Sequence, residues 1–450
     1  MSHLFGTDGI RGRANRYPMD AETAMKVGRA AALELGRNAG CVATAVIGQD
    51  TRISGDMIAQ AVAAGILSAG MAVLNAGVVP TPAVARLVVD HRSSMGIMIS
   101  ASHNPFEDNG IKIFDHAGLK IDDRTEAAIG DRIGVAGSSG TGSEIEPAAL
   151  IRTPSNCLED YRRFLVSAGQ EFGRLDGLAL VLDCANGATS RVAPMVFGDL
   201  GARVTVIADR PDGRNINAGC GSEHPEFLAR QVAAAGAGAG LAFDGDGDRI
   251  AAVDERGRVL TGDQIIAILA RDMDRQKKLA PRCVVSTVMS NLGLGQTLQR
   301  MGIVHHISDV GDRRVMQVMR RTGAILGGED SGHIIFGDLH TTGDGILSGL
   351  RLAAVLARAG QPLSELSRVM TVYPQALLAV PVKKKPPLAE LDAVMREISL
   401  VEGELKGQGR VLVRYSGTQP VCRVMVEGPA AECTESFCMR IARVVQDCIG

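Results

Sequence analysis

The sequence predicts an α/β protein of three similar mixed α/β units followed by a smaller C-terminal α+β unit. Three observations carry this. Short apolar runs of strand length alternate with helical stretches of about ten to fifteen residues, the rhythm of a mostly parallel sheet covered on both faces. That rhythm restarts twice, near residues 153 and 257. Near residue 370 it gives way to a Pro- and Lys-rich stretch, residues 382–387, and then to a different pattern. A chain of 450 residues is also too long for a single core, and the length suggests about three domains.

In chain order, helical patterning over residues 21–35 leads to a strand at 42–47, a helix from about residue 54, and a strand at 72–74. Residues 57–85 contain no charge, but Gln60, Asn75, Pro80 and Pro82 divide them into a helix, a strand and a proline turn, each too short to span a bilayer. Strands at 95–100 and 110–114 follow, then a polar loop at 137–143. The second unit places strands at 178–183, 203–207 and 241–243, with a helix after Gly187. In the third, strands fall at 283–287, near 304 and at 324–326, with helices at 262–271 and 345–358. The last unit has strands at 410–413 and 423–426 and a closing helix from Ala430. The predicted domains are residues 1–153, 154–256, 257–370 and 371–450.

Composition narrows the function. A net charge of -2, no Trp and only 3% aromatic residues give neither an electrostatic footprint nor stacking platforms for nucleic acid. Nine cysteines without a CxxC pair argue against a disulfide framework and a zinc site, and fit a reducing cytoplasm. The N-terminus lacks a signal-peptide pattern. The expected partner is a small molecule, with no nucleic acid and no membrane; oligomeric state is open, a homodimer being admitted.

Four motifs carry chemistry. Asp244-Gly-Asp-Gly-Asp-Arg249 sits where the strand ending at Phe243 should stop, and its glycines let Asp244, Asp246 and Asp248 converge on one point. Such carboxylates repel one another unless a cation is present. An EF-hand would need Gly where Arg249 stands, and the flanks are apolar and strand-like, so Mg²⁺ is preferred over Ca²⁺. At the end of strand 95–100, Ala101-Ser-His-Asn-Pro-Phe106 makes Ser102 the candidate nucleophile or phosphoryl carrier, against the plain reading of a loop serine. No nucleophile elbow accompanies it. Lys112, ten residues on, is placed to act as a base if burial lowers its pKa, or is a strand-edge lysine with its head in water. Gly327-Gly-Glu-Asp-Ser-Gly-His333 offers carboxylates and a hydroxyl suited to sugar hydroxyls, with His333 either packed or catalytic. Arg414-Tyr-Ser-Gly-Thr-Gln-Pro420 with Arg423 reads as an anion-binding turn, whereas the basic run at 382–385 reads as a solvated loop. Gly293-Leu-Gly295 lacks the third glycine of a dinucleotide fingerprint and is read as a helix start.

With these motifs in this order, the chain resembles the α-D-phosphohexomutase superfamily along essentially its whole length. Phe5-Gly-Thr-Asp-Gly-Ile-Arg-Gly12 and Arg423-Val-Met-Val-Glu-Gly428 are similar to its branch acting on glucosamine phosphates. The resemblance implies four domains around a central cleft, one Mg²⁺ per subunit, a cytoplasmic location and an isomerase. That isomerase would interconvert glucosamine 6-phosphate and glucosamine 1-phosphate, through a phosphoserine enzyme and a bisphosphorylated sugar, for cell-wall precursor synthesis. It implies phosphorylation of Ser102, metal binding by Asp244, Asp246 and Asp248 together with Ser102, and sugar contacts from Glu329 and Ser331. Arg414, Ser416, Gly417, Thr418 and Arg423 would bind phosphate, and Lys112, Arg11, Arg249 and His333 would line the reacting centre. Asp330, Gln419 and Arg314 depart from the branch's Gln, Glu and Tyr; Asp330, beside Glu329, either favours an amino sugar through its charge or points away from the sugar. The alternatives are a phosphoglucomutase or phosphomannomutase of the same superfamily, a haloacid-dehalogenase-type phosphotransferase, and a non-catalytic phosphosugar-binding protein.

Overall fold

The computed structural model describes residues 4–6, 8–36, 42–135, 151–152, 156–416 and 420–450. The chain divides into two compact units, one of residues 1–288 and 303–369, the other of 289–302 and 370–450.

The larger unit repeats one strand order three times. Its first sheet holds Ile10–Arg13 (β1), Val42–Gln49 (β2), Ala72–Val78 (β3), Ser93–Ile99 (β4), Asp108–Asp115 (β5) and Ile151–Arg152 (β6), ordered β1-β5-β4-β2-β3-β6. The second holds Ala179–Asp183 (β7), Arg203–Ile207 (β8), Ala239–Phe243 (β9), Ile250–Asp254 (β10) and Val259–Leu260 (β11), ordered β11-β10-β9-β7-β8. The third holds Cys283–Thr287 (β12), Val304–Ser308 (β13), Leu326–Gly328 (β14) and Ile334–Phe336 (β15), ordered β13-β12-β14-β15. Without β1, β6 and β11, the three orders superimpose. Three strands run parallel, and a fourth pairs antiparallel with the last of them.

That fourth strand makes each sheet mixed, as expected of three mixed α/β units, while the other three strands keep the parallel run that the sequence rhythm predicts. The cause is the connection. A parallel return needs a crossover of a dozen or more residues, whereas residues 100–107, 244–249 and 329–333 are short turns that can only send the chain back antiparallel. These three turns hold the Ser102, Asp244–Arg249 and Glu329–His333 motifs, so the motifs occupy equivalent places in three equivalent sheets.

Local sequence accounts for the helices. Asp20 caps Ala21–Leu35 by accepting from the Thr23 amide, and Thr261 with Gln264 forms a capping box before Gly262–Arg275. Caps of this kind contribute about 1 kcal/mol each. Ala21–Leu35 packs on Gly55–Ser68 with almost no gap: a Cβ on Gly28 would lie 2.2 Å from the Val62 carbonyl oxygen, and one on Gly65 2.0 Å from that of Met25. The expected proline turn after residue 79 is instead the start of helix Thr81–Asp90, with Pro82 in its first turn, where a missing N–H costs nothing. Helices Asp123–Val135, Cys157–Phe172, Pro225–Ala235 and Asp312–Thr322 were not anticipated individually. Among the described residues, no helix is long and apolar enough to cross a membrane.

The smaller unit is an antiparallel sheet of Gln375–Pro381 (β16), Arg410–Tyr415 (β17) and Val421–Glu427 (β18), ordered β16-β18-β17, against helices Asp392–Leu405 and Ala431–Ile449. Its core includes Val394, Val401, Val424, Cys438, Ile441 and Val445. Helix Leu292–Arg300, which follows β12 in sequence, belongs to this unit. The Leu292 amide donates to Glu427, and Asn291 Nδ2 donates to the Tyr373 carbonyl at 2.9 Å.

Candidate active site

The first two turns of the larger unit meet. Ser102 is buried, and its Oγ donates to Asp244 Oδ2 at 2.6 Å. Asp244, Asp246 and Asp248 are all buried, with one oxygen from each lying within 4.8 Å of the others. Asp244 Oδ1 accepts from the Arg249 amide at 3.1 Å, while Asp246 Oδ2 accepts from Thr81 Oγ1 and, at 2.7 Å, from Lys112 Nζ. Lys112 Nζ also reaches Asp248 Oδ2 at 3.0 Å. Asp246 Oδ1 and Asp248 Oδ1 are buried and make no hydrogen bond among the described residues. Orphaned carboxylate oxygens converging with a third carboxylate suit a hard divalent cation, which takes oxygen ligands.

Electrostatics follow from this crowding. Burial, reinforced by Asp248 and Asp246, pushes Asp244 well above the usual carboxylate range. Burial acts on Asp248 in the same direction, but Lys112 and His333 overcome it and hold Asp248 well below that range. The expectation that burial makes Lys112 a base is overturned. Desolvation does work against its charge, yet Asp246, Asp248 and Asp8 outweigh it and raise its pKa well above the usual value, so Lys112 is a fixed cation.

Beside it, Asp8 lies 3.5 Å from Lys112 Nζ and also pairs with Lys120 and, at 2.5 Å, with Arg11 Nη2. Arg11 is held above its usual pKa by Asp8 in spite of burial. Lys120 continues to Asp312 at the start of helix Asp312–Thr322, and Asp312 Oδ2 lies 3.5 Å from His333 Nε2. Burial lowers the His333 pKa, but Asp248 and Asp312 raise it further, and the balance is upward. The Gly343 amide nonetheless donates to Nε2 at 3.0 Å, which requires that nitrogen unprotonated and leaves the proton on Nδ1, 3.8 Å from Asp248 Oδ1. Arg249 is raised by Asp248 and Asp244 against burial, and its Nη1 lies 3.5 Å from Glu223 Oε1. His103 Nδ1 lies 3.4 Å from Ser102 Oγ, its pKa lowered by burial and by Arg249.

The third turn supplies Glu329, half-buried, whose Oε1 accepts from the Gly311 amide at 3.0 Å, and Ser331, which is exposed. Asp330 is exposed too, but its Oδ1 accepts from the Asp263 amide at 3.2 Å, in the first turn of helix Gly262–Arg275. Of the two readings of this carboxylate, the outward-facing one fits: it is engaged at a helix N-terminus, where the dipole favours negative charge.

In the smaller unit, Arg414 on β17 stands opposite Arg423 on β18, and the Ser416 amide donates to the Val421 carbonyl at 2.9 Å. Gly417 and Thr418 lie outside the described residues. The lysines at 383–385 are exposed, as expected of a solvated loop, yet Lys385 Nζ donates to the Ser416 carbonyl at 2.6 Å, joining the basic run to the segment read from sequence as anion-binding.

The sequence matches the phosphoglucomutase/phosphomannomutase family in four stretches: alpha/beta/alpha domain I over residues 2–137, domain II over 159–257, domain III over 261–373 and the C-terminal domain over 377–444. The chain belongs to this family. It is 49% identical to the phosphoglucosamine mutase of Syntrophus aciditrophicus, with 100% of each chain covered, and 50% identical to that of Desulforapulum autotrophicum, with 99% of each covered. A phosphoglucomutase/phosphomannomutase family protein from Burkholderia thailandensis has the same fold, with a TM-score of 0.81 at 24% identity, covering 99% of this chain and 97% of that one. So does an Aspergillus fumigatus N-acetylphosphoglucosamine mutase, whose structure was solved with GlcNAc-6P and magnesium; the TM-score is 0.70 at 19% identity, with 98% and 95% covered.

Within this phosphohexomutase frame, the sequence reading missed Asp8, Thr81, His103, Lys120 and Asp312 as parts of the site. Asp8 and His103 stand inside the Phe5–Gly12 and Ala101–Phe106 motifs, and Asp312 lies two residues before Arg314, but nothing in the chain says that Lys120 joins Asp8 and Asp312.

Proposed function

We propose that this protein interconverts glucosamine 6-phosphate and glucosamine 1-phosphate, with phosphorylated Ser102 as donor and a bisphosphorylated sugar as intermediate. The observation that carries the chemistry is the Ser102 Oγ–Asp244 hydrogen bond of 2.6 Å within a cluster that leaves two buried carboxylate oxygens without partners. The substrate class rests on family membership and on full-length relatives named phosphoglucosamine mutase that are about half identical.

In the forward half-reaction the Oγ–P bond of Ser102 breaks as a bond forms from phosphorus to the free sugar hydroxyl. The proton that the sugar hydroxyl gives up is matched by one taken up at Ser102 Oγ, so the half-reaction exchanges a phosphoserine for a free serine hydroxyl. The bisphosphate then turns round, and its other phosphoryl group returns to Oγ. Asp244, Asp246 and Asp248 would hold Mg²⁺, which when bound neutralises charge on the transferring group. Thr81 and Lys112 fix Asp246, and Lys112 also fixes Asp248. Arg11, Arg249 and His333 surround the cluster, Glu329 and Ser331 are proposed for the sugar, and Arg414, Ser416 and Arg423 for the phosphate that is not reacting. Family membership replaces the haloacid-dehalogenase-type alternative, in which an aspartate would carry the phosphoryl group.

Assay of purified protein on glucosamine, glucose and mannose phosphates, with intact-mass and peptide mapping of Ser102, tests this reading. Glucosamine 1-phosphate should be the best substrate, activity should vanish in EDTA and return with Mg²⁺, and phosphate should map to Ser102. Undiminished turnover in EDTA, or phosphate on Asp244, would sink it.

A further inference from the structure

Ser102 is held in an unusual way. Its φ is +54°, in the left-handed region that costs a non-glycine residue roughly 1 kcal/mol. Something must hold it there.

Arg52 lies just past β2, only 2% exposed. Its Nε donates to Asp50 Oδ2 at 2.9 Å. One terminal nitrogen donates to the carbonyls of Pro105 and, at 3.0 Å, of Asp108; the other donates to those of Ser102 at 2.9 Å and Asn104 at 2.8 Å. A guanidinium has five N–H donors, and these contacts use all of them. Four of the five acceptors are backbone carbonyls, three in the turn that carries Ser102 and the fourth on Asp108, the first residue of β5.

A second side chain grips the same turn from the second sheet's side. Asn217 Nδ2 donates to the Ser102 carbonyl at 2.9 Å and to the Asn104 carbonyl at 3.1 Å, the same two oxygens that one Arg52 nitrogen holds. Both acceptors are carbonyls, so the amide orientation is unambiguous. The Asp turn fits beneath this clamp only because residue 245 is glycine: a Cβ there would lie 2.7 Å from the Ser102 carbonyl oxygen and 2.8 Å from Asn217 Nδ2. Asp50 completes the arrangement, since its Oδ2 accepts from Ser100 Oγ at 2.6 Å and Ser100 Oγ in turn accepts from the Ser102 amide at 2.9 Å. The peptide groups on both sides of Ser102 are thus tied down, while its Oγ stays directed at Asp244.

We propose that Arg52 and Asn217 are positioning residues that clamp the Ser102 and Asn104 carbonyls from two sides and keep Oγ aligned for phosphoryl transfer in both half-reactions. The proposal rests on the reading of Ser102 as the phosphoryl carrier. Neither residue touches the reacting atoms. The clamp acts through the backbone, and Lys cannot replace Arg52 because an ammonium has three donors and no planar fork.

Arg52→Lys keeps the charge beside Asp50, and Asn217→Gly removes the donor while tolerating the φ of 57° at that position. The measurement is the single-turnover rate of phosphate transfer from phospho-Ser102 to the sugar phosphate, per phosphorylated enzyme, alongside steady-state kcat and KM and hydrogen exchange over residues 101–108. Arg52→Lys should slow transfer on the order of 10- to 100-fold, the effect of a small misplacement of a reacting group. Asn217→Gly should slow it less, KM should change by no more than about two-fold, and the double variant should lose less than the product of the two, because both side chains hold the same oxygens. Amides of residues 101–108 should exchange faster while those of β2 and β4 do not. Wild-type transfer rates in both variants, with phosphate on Ser102, would overturn the clamp alone. Unphosphorylated Ser102 in an active enzyme, with Ser102→Ala undiminished, would overturn the phosphoserine reading and the clamp with it. If Arg52→Lys does not fold, Asn217→Gly decides the matter by the same readouts.

Discussion

The turn that carries Ser102 and the turn that carries the three aspartates occupy the same place in sheets of the same strand order, yet they are stabilised in opposite ways. The Ser102 turn points backbone carbonyls inward onto a buried guanidinium, and its side chain is a neutral hydroxyl. The Asp turn points carboxylates inward, and a lysine from β5 of the neighbouring sheet offsets them. One turn is locked in shape, the other is balanced in charge. Equivalent topology thus brings a hydroxyl, the proposed phosphoryl donor, and a carboxylate cluster, the candidate cation site, to the same point, and the choice between them lies in which group faces in. The third turn does neither: Glu329 and Asp330 each accept from a backbone amide of their own sheet's surroundings.

The sharpest way to break this comparison is to remove the hydroxyl. Ser102→Ala should reduce mutase turnover on the order of 10⁴-fold, because the phosphoryl carrier is lost, while circular dichroism and melting temperature stay near wild type. A loss of under ten-fold would mean that the two turns do not divide the work as donor and ion site.

Next in size is Lys112→Met, which leaves the Asp turn without its cation. Removing one partner of a buried charge cluster costs about 3–5 kcal/mol, so denaturant unfolding in EDTA should show a loss of that order. Millimolar Mg²⁺ should restore part of it by supplying positive charge to the same carboxylates. Equal destabilisation with and without Mg²⁺ would show that Lys112 packs without balancing charge.

A smaller effect concerns Asp344, behind the third sheet, which caps helix Gly345–Ala359 and accepts from Tyr161 Oη at 2.8 Å. Burial raises its pKa to about 6. A carboxyl raised in the folded state binds its proton more tightly there than when unfolded. Its contribution is fully present below pH 4 or so and is lost as pH rises through about 6. Asp344→Asn should therefore gain stability relative to wild type between pH 4 and pH 7, by on the order of 1–3 kcal/mol. A constant difference across that range would refute the raised pKa.

The smallest prediction is for Asp330→Asn. Because the carboxylate faces the Asp263 amide, the change should lower stability by about 0.5 kcal/mol and alter kcat/KM for glucosamine 1-phosphate and glucose 1-phosphate equally. A selective loss on the amino sugar would show that Asp330 reads the ammonium group after all.

Much of this was legible along the chain. Strand-ending turns rich in Gly, Asp and Ser announced the three loops, since strand periodicity and turn chemistry are local properties. The sequence also announced the candidate cation site, because three aspartates alternating with two positions of glycine can be counted without coordinates. What it misplaced were groups whose behaviour depends on distant partners. Helix Thr81–Asp90 read as a turn because prolines look alike at a helix start and in a loop.

By itself, then, the sequence determined the repeated α/β rhythm, the loops that carry chemistry and the family. Only the tertiary structure decided the state of each charged group. Lys112 is a fixed cation because aspartates 134 and 136 positions away converge on it, and Arg52 is a clamp because a turn some fifty residues on wraps its carbonyls around it. Asp330 looks like a sugar ligand until a helix begins beside it. A pKa or a hydrogen bond is set by what surrounds a group in space, and over such separations the order of residues in a chain does not specify those surroundings.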